Sequence, residues 1–378
     1  MNAMKAVLIA PRKYVQGPDV LLEAGELIAA IGKKPLVLWD KKVKSIVGKA
    51  LLASLASAKL KATDVAFAGD STHAEADRVA KLAAEAKADV IVGVGGGKAL
   101  DTAKAAAAKI GSAMITIPTI ASNDSPTSSY TVWYDEKGNC LGFESWGRNP
   151  DLVLVDTRVI ANGPVRAFVA GMGDALATWI EARVCLQTRS ANLAGGVSTQ
   201  AAMALARLGY DILLEYGVEA KRALEAKVVT PAVEKVVEAN VLLSGLGFES
   251  GGVATAHMIA NCLPSLPECH ALMHGQEVGF GIISQLCLEE DVEVEEIYRI
   301  VDFEIAVGLP VSFADLGLAG VKRQRLEGIG KICAGPGSLC HFHPFKVTSE
   351  SIVDAMIAAD ALGAARKSLT TEARGHGG

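Results

Sequence analysis

Asp174 stands alone in the small-residue run Gly-Met-Gly-Asp-Ala-Leu-Ala-Thr-Trp, and His257 and His274 lie close together well downstream of it. One carboxylate and two imidazoles are ligands that zinc takes in catalytic sites, where a free coordination position receives a substrate oxygen. Taken singly they read more plainly. An aspartate near a helix start caps it, and a histidine in an apolar helix is packed and hydrogen-bonded. Together they gain weight because His270 falls in the same short, mostly apolar segment, and burying several titratable rings needs compensation that a metal supplies. His270 and His274 have the spacing of a zinc-protease pair, but Leu272 and Met273 fill the interval and no glutamate follows His270. His341 and His343, just before Pro344, read as structural.

A second chemistry sits upstream. Gly95, Gly96 and Gly97 follow an apolar run and lead into a helical stretch with Lys98 and Asp101 in its first turn. Such glycines let backbone N–H groups and a helix start approach a pyrophosphate, and they also simply turn a corner. Asp40 ends the run Val-Leu-Trp-Asp, where an acid can accept from both ribose hydroxyls and would repel a ribose phosphate, favouring NAD over NADP. Here the acid precedes the glycines, the inverse of the usual fingerprint, and Asp40 reads equally well as a helix cap. The segment from Pro118 to Tyr134 adds the hydroxyls of Thr119, Ser122, Thr127, Ser128 and Ser129, with Asp124 among them and Tyr130 and Tyr134 beyond. A loop of this kind can hold ribose, nicotinamide and a polyol, or be a turn full of local caps.

Elements must carry these residues. Up to about Asp156, short apolar runs (Lys-Ala-Val-Leu-Ile-Ala-Pro, Pro-Leu-Val-Leu-Trp, Val-Ala-Phe-Ala, Asp-Val-Ile-Val-Gly-Val, Ala-Met-Ile-Thr-Ile-Pro, Asp-Leu-Val-Leu-Val) alternate with helical candidates such as Val43 to Leu60 and His73 to Lys87. That is the pattern of an α/β domain with a parallel sheet. Two alternating segments around Lys137-Gly138-Asn139 interrupt it as a hairpin. Beyond Pro164 the chain reads all-α, which places a boundary near Ala161 and gives domains 1–161 and 162–378. The terminal Gly-His-Gly-Gly reads as a disordered tail.

The chain's 378 residues suit two domains. A formal charge of −5 argues against nucleic acid or anionic membrane as a main partner. Without an apolar run of spanning length or a cleavage pattern, a cytoplasmic protein is expected. Seven cysteines, an odd number with no CxxC pair, argue against a disulfide framework or thiolate cage.

The motifs Gly-Gly-Gly-Lys-Ala-Leu-Asp-Thr-Ala-Lys, Pro-Thr-Ile-Ala-Ser-Asn-Asp-Ser-Pro-Thr-Ser, the stretch around Gly-Met-Gly-Asp-Ala-Leu-Ala-Thr-Trp-Ile-Glu-Ala, Gly-Phe-Glu-Ser-Gly-Gly-Val-Ala-Thr-Ala-His and His-Ala-Leu-Met-His-Gly-Gln-Glu-Val-Gly-Phe-Gly occur in one order. In order and spacing they resemble the glycerol dehydrogenases of the group III, iron-containing-type alcohol dehydrogenase superfamily, from Ala6 to about Leu369. The resemblance implies a dinucleotide-binding α/β domain followed by an all-helical domain, the architecture shared with dehydroquinate synthase. It implies Asp174, His257 and His274 as ligands of zinc or, in some relatives, iron. It implies Gly95, Gly96, Gly97, Lys98 and Asp101 beside the pyrophosphate and nicotinamide, Asp40 at the ribose, and Asp124 on the substrate side. Thr119, Ser122, Ser128, Tyr130 and Tyr134 become further coenzyme contacts, and a homo-oligomer is expected.

The implied reaction is NAD-dependent oxidation of glycerol or a similar diol, with the alcohol oxygen polarised by the metal. Asp124 would hold a second hydroxyl. The rivals are a related oxidoreductase acting on another alcohol or a glycerol phosphate, a carbon-oxygen lyase resembling dehydroquinate synthase, and a catalytically inactive assembly protein. Ala260 and Gln276 depart from some relatives, which carry histidine and glutamate there, and Tyr130 is bulkier than the usual aliphatic residue.

Overall fold

The computed structural model describes residues 5–136 and 140–375, the last six of them in backbone only. The expected turn at Lys137-Gly138-Asn139 and the end of the Gly-His-Gly-Gly tail lie outside the described residues. Eight strands are present among those described: β1 (Tyr14–Gly17), β2 (Pro35–Trp39), β3 (Thr63–Ala66), β4 (Val90–Gly95), β5 (Ala113–Pro118), β6 (Tyr130–Tyr134), β7 (Cys140–Ser145) and β8 (Leu152–Asp156). The first helices are α1 (Ala24–Ala29), α2 (Lys41–Ser57), α3 (His73–Glu85), α4 (Gly97–Ile110) and α5 (Thr157–Ala161). There follow α6 (Val165–Thr188), α7 (Gln200–Glu225), α8 (Pro231–Glu238), α9 (Ser244–Gly251) and α10 (Thr255–Cys262). The series ends with α11 (His274–Leu288), α12 (Val294–Val307), α13 (Arg323–Cys333) and α14 (Ser349–Gly375).

The chain divides into two compact units, and neither is one run of sequence. The sheet unit is Ile9–Phe168 with Arg222–Leu246; the helical unit is the chain up to Leu8, Val169–Lys221 and everything from Gly247 onward. A single cut near Ala161 therefore does not reproduce the units, because α8 returns to the sheet unit. There Gln16 donates to the Glu234 carboxylate at 2.8 Å and Thr157 does so at 2.6 Å.

Six strands form one parallel sheet in the order β1-β8-β5-β4-β2-β3, and β6 pairs antiparallel with β7. The strands β2, β4 and β8 are buried at every residue, which is why they read as unbroken apolar runs. Successive side chains point to opposite faces. Leu36, Leu38, Ile91 and Met114 meet Val79, Ala83 and Ala103, while Val37, Trp39, Val92 and Ile115 meet Leu51 and Leu55. One expected strand is absent. The run Lys-Ala-Val-Leu-Ile-Ala-Pro makes only a bridge from Ala6 to Val197, with Val7 N–H donating to the Val197 carbonyl at 3.1 Å, so it belongs with the helical unit. The edge strand is Tyr14–Gly17 instead.

The strand β2 leads through α2 to β3 on one side, whereas β4 leads through α4 to β5 on the other. Such divergence opens a crevice beyond the carboxyl ends of the two strands. The helical unit has its own core, in which Phe280 and Ile283 of α11 meet Val301, Ile329, Ile352 and Met356. Among the described residues no helix is long and apolar enough to cross a membrane, and the seven cysteines are free thiols.

Candidate functional site

In the sheet unit, Asp40 and the glycine triplet come together at the crevice just described. Asp40 N–H donates to the Val94 carbonyl at 3.1 Å, and a Cβ on Gly95, whose φ is +155°, would lie 3.1 Å from that of Asp40. Gly96 is the N-cap of α4 and brings no side-chain acceptor, so nothing of its own stands before the helix start. Asp40 caps α2: its Oδ1 accepts from Lys42 N–H at 2.9 Å and Val43 N–H at 3.4 Å. The capping reading is thus realised in the fold, beside the glycines.

The segment from Thr119 to Tyr134, a loop that runs into β6, is braced from beneath. Asp101, read in the sequence as a nicotinamide-side residue, is buried and accepts from Ser125 Oγ at 2.6 Å and Val132 N–H at 2.9 Å. It also pairs at 2.9 Å with Lys104, itself only 1% exposed. Lys104 Nζ donates to the carbonyls of Ser125 (2.8 Å), Ser128 (3.2 Å) and Tyr130, and to Ser128 Oγ (3.3 Å). The Asp101 carboxylate therefore also braces this loop. Thr119 and Ser122 are buried, and Thr119 N–H donates to the Gly95 carbonyl at 3.1 Å. Tyr130 stands edge-on to Phe143, and Tyr134 receives Lys98 Nζ over its ring at 4.3 Å while Lys98 pairs with Asp70. Asp124 is half-buried and accepts from Ser244 Oγ at 3.3 Å.

In the helical unit the three sequence-distant candidates meet. Ligand atoms of Asp174, His257 and His274 all lie within 4.8 Å of one another. Asp174 Oδ1 is 3.5 Å from His257 Nε2 and 3.6 Å from His274 Nε2, and the two rings are 5.6 Å apart. Asp174 comes from α6, His257 from α10, and His274 opens α11. Asp174 and His257 are buried, whereas the His274 side chain is 39% exposed and forms the open side of the cluster. Burial disfavours charge on His257, but the carboxylates of Glu181 and Asp174 outweigh it and carry its pKa well above the usual value. Loss of water from around its ring lowers the His274 pKa, with Asp174 opposing and His257 adding to the fall. His270, counted with these rings in the sequence, is elsewhere: its Nε2 faces the Pro264 carbonyl at 2.9 Å. The donor set, one carboxylate and two imidazoles turned to one point, fits zinc or iron.

Residues 11–157 match the iron-containing alcohol dehydrogenase family. The glycerol dehydrogenase of Thermotoga maritima is 43% identical over 97% of this chain and 100% of its own length. The glycolaldehyde reductase of Halobacterium salinarum is 41% identical over 95% of this chain and 98% of its own. This chain belongs to the iron-containing alcohol dehydrogenase family. The crystal structure of glycerol dehydrogenase from Schizosaccharomyces pombe matches it with a TM-score of 0.93 at 34% identity, covering 98% of this chain and 94% of that one. The protein is accordingly an oxidoreductase, built as an α/β domain with an all-helical domain.

In this alcohol dehydrogenase, glycines bring the ligand-bearing helices together. A Cβ on Gly275 would lie 1.7 Å from the Ala170 carbonyl oxygen, one on Gly173 2.1 Å from that of Gly275, and one on Gly281 2.3 Å from that of Ala256. Each clash is with backbone and cannot be relieved by a rotamer change. Gly275→Ala should therefore cost about 1–3 kcal/mol or more and part α6 from α11 beside Asp174 and His274. An unchanged melting temperature together with unchanged zinc affinity would refute this.

Two residues of the helical unit escaped the sequence reading. Glu181, fully buried, touches the His257 ring at Nδ1 and lies seven residues after Asp174, two turns along one face of α6. Glu277 follows His274 on α11, and burial pushes its pKa up to about 8. A carboxyl raised in the folded state favours folding at low pH, and that contribution is lost as pH rises from the ordinary glutamate range through about 8. Glu277→Gln removes the titration. Its stability relative to the wild type should rise across that window by roughly a few kcal/mol, read as melting temperature against pH. Parallel curves for the two proteins would refute it.

Proposed function

We propose that this enzyme oxidises glycerol, or a similar small vicinal diol, to the hydroxyketone with NAD as hydride acceptor. The observation that carries the reading is the convergence of Asp174, His257 and His274 in a chain that matches a glycerol dehydrogenase over that protein's whole length. A divalent ion held by these three residues, zinc or iron, would polarise the alcohol oxygen. Asp174 brings the negative charge, and the two Nε2 atoms bring lone pairs once His257 has given up its proton.

Gly95, Gly96, Gly97 and Lys98 would receive the pyrophosphate at the start of α4. Asp40, across from Gly95, would face the ribose and select NAD by repelling a ribose phosphate. Thr119, Ser122 and Ser128 of the loop, with Tyr130 and Tyr134 of β6, would orient the nicotinamide, with Asp101 and Lys104 beneath as their support. Asp124 would hold a second substrate hydroxyl and so favour polyols over simple alcohols. Free cysteines fit a reducing compartment, and we place the enzyme in the cytoplasm as a homo-oligomer. The comparable identity to a glycolaldehyde reductase supports a second reading, reduction of a short hydroxyaldehyde.

The test is formation of NADH from a panel of small alcohols, before and after chelation. Glycerol turnover should appear and be abolished by the chelator, and Asp124→Ala should damage diol turnover more than turnover of a monohydric alcohol. Equal losses on both would remove the role given to Asp124, and metal-independent turnover would overturn the reading.

A further inference from the structure

We propose that Glu181 is the positioning residue of the metal centre: it fixes the His257 ring so that Nε2, and not Nδ1, faces the cation. The inference rests on the metal reading given above and begins with a defect in α10. That helix has Ala254 at its N-cap, a residue with no side chain able to accept from the first-turn N–H groups. Those groups are buried and need acceptors. Neighbouring helices supply them. Glu181 Oε1, from α6, accepts from Ala254 N–H and His257 N–H, both at 2.9 Å, and Gln285 Oε1, from α11, accepts from Ala256 N–H at 2.9 Å.

The second oxygen of Glu181 is what touches chemistry. Oε2 lies against His257 Nδ1, while Asp174 Oδ1 stands 3.5 Å from Nε2 on the other side of the ring. Two carboxylates of one helix face therefore bracket one imidazole. A carboxylate only accepts hydrogen bonds, so a neutral His257 with Nδ1 against Glu181 Oε2 must carry its proton on Nδ1. The lone pair is then on Nε2, which points to Asp174 and His274. With Oε1 tied to two backbone N–H groups, the carboxylate cannot swing away, and the ring cannot turn over without losing its partner. Carboxylates of this kind behind a ligating histidine typically carry 10–100-fold of metal affinity.

The test uses the full-length protein and zinc. Glu181→Gln keeps one oxygen, which the two backbone donors require, and this turns its NH2 group toward Nδ1. That arrangement forces the ring proton onto Nε2, the atom meant for the metal. Zinc titrated into metal-free protein against a chromophoric chelator should bind the variant about 10–100-fold more weakly than the wild type. A Glu181 that only capped α10 would leave the zinc affinity unchanged, because glutamine keeps the capping oxygen, and that result overturns the proposal. A second measurement needs no variant. In the zinc-loaded wild type, the histidine 15N spectrum should show the His257 proton on Nδ1; zinc on Nδ1, with the proton on Nε2, overturns the proposal as well. Failure of the metal reading itself is recognised separately, because wild type and Asp174→Ala would then show the same lack of zinc uptake, and the role of Glu181 falls with it.

Discussion

Asp174→Ala is expected to leave the protein folded, unable to retain zinc or iron, and slower in glycerol oxidation by about 10³-fold or more in kcat/KM. The size follows from the several kcal/mol by which a Lewis-acidic cation stabilises charge on a reacting oxygen, at 1.36 kcal/mol for each factor of ten. Asp174 is the only carboxylate in the three-residue cluster, and both imidazoles stand within 3.6 Å of the same oxygen. Without it the cation would have two neutral nitrogens and no compensating charge. The check is metal content of purified protein beside NADH formation. Full metal occupancy with full activity would remove Asp174 from the centre.

Lys104→Met should have the largest effect on stability, about 3–5 kcal/mol, because it leaves the buried Asp101 without its counter-charge. Methionine matches the lysine stem in volume, so the loss comes from the missing ammonium group. Beyond the ion pair, Nζ holds the carbonyls of Ser125, Ser128 and Tyr130, and its removal leaves buried acceptors unmet. The loop that carries Thr119, Asp124 and Ser128 would loosen as well, raising the KM for NAD. Denaturant unfolding and coenzyme titration read the two effects. An unfolding midpoint equal to that of the wild type would show that the brace is dispensable.

What the sequence made legible differs sharply between these two places. Residue type and the family resemblance together singled out Asp174, His257 and His274, which the fold brings together, whereas His270, counted with them in the sequence, lies elsewhere. Glu181 was hidden because its work is done across 76 residues of chain, on a helix that its own neighbours make read as alanine-rich packing. Lys104 was hidden for the opposite reason. A lysine in an alanine-rich helix reads as solvated, and only the loop folded over α4 buries it. Among the strands, the runs at Pro35–Trp39, Val90–Gly95 and Leu152–Asp156 were plain because helices cover both sheet faces. The first apolar run misled, since apolar composition says that a segment is covered and not which backbone pairs with it. Asp40 carried two readings. Its capping bonds are present in the fold, and its place beside Gly95 keeps the ribose role available.

The chain changes units after Leu8, Phe168, Lys221 and Leu246. During synthesis, Gln16 and Thr157 leave the ribosome long before Glu234, and Thr127 long before the Val241 carbonyl that it reaches at 2.8 Å. The nascent sheet unit is therefore incomplete until residue 246 has emerged, by which time Val169–Lys221 is already outside. Domains of many proteins mature one after another in order of translation; here the sheet unit can close only after a long stretch of the helical unit has emerged, and the helical unit still awaits everything from Gly247 onward.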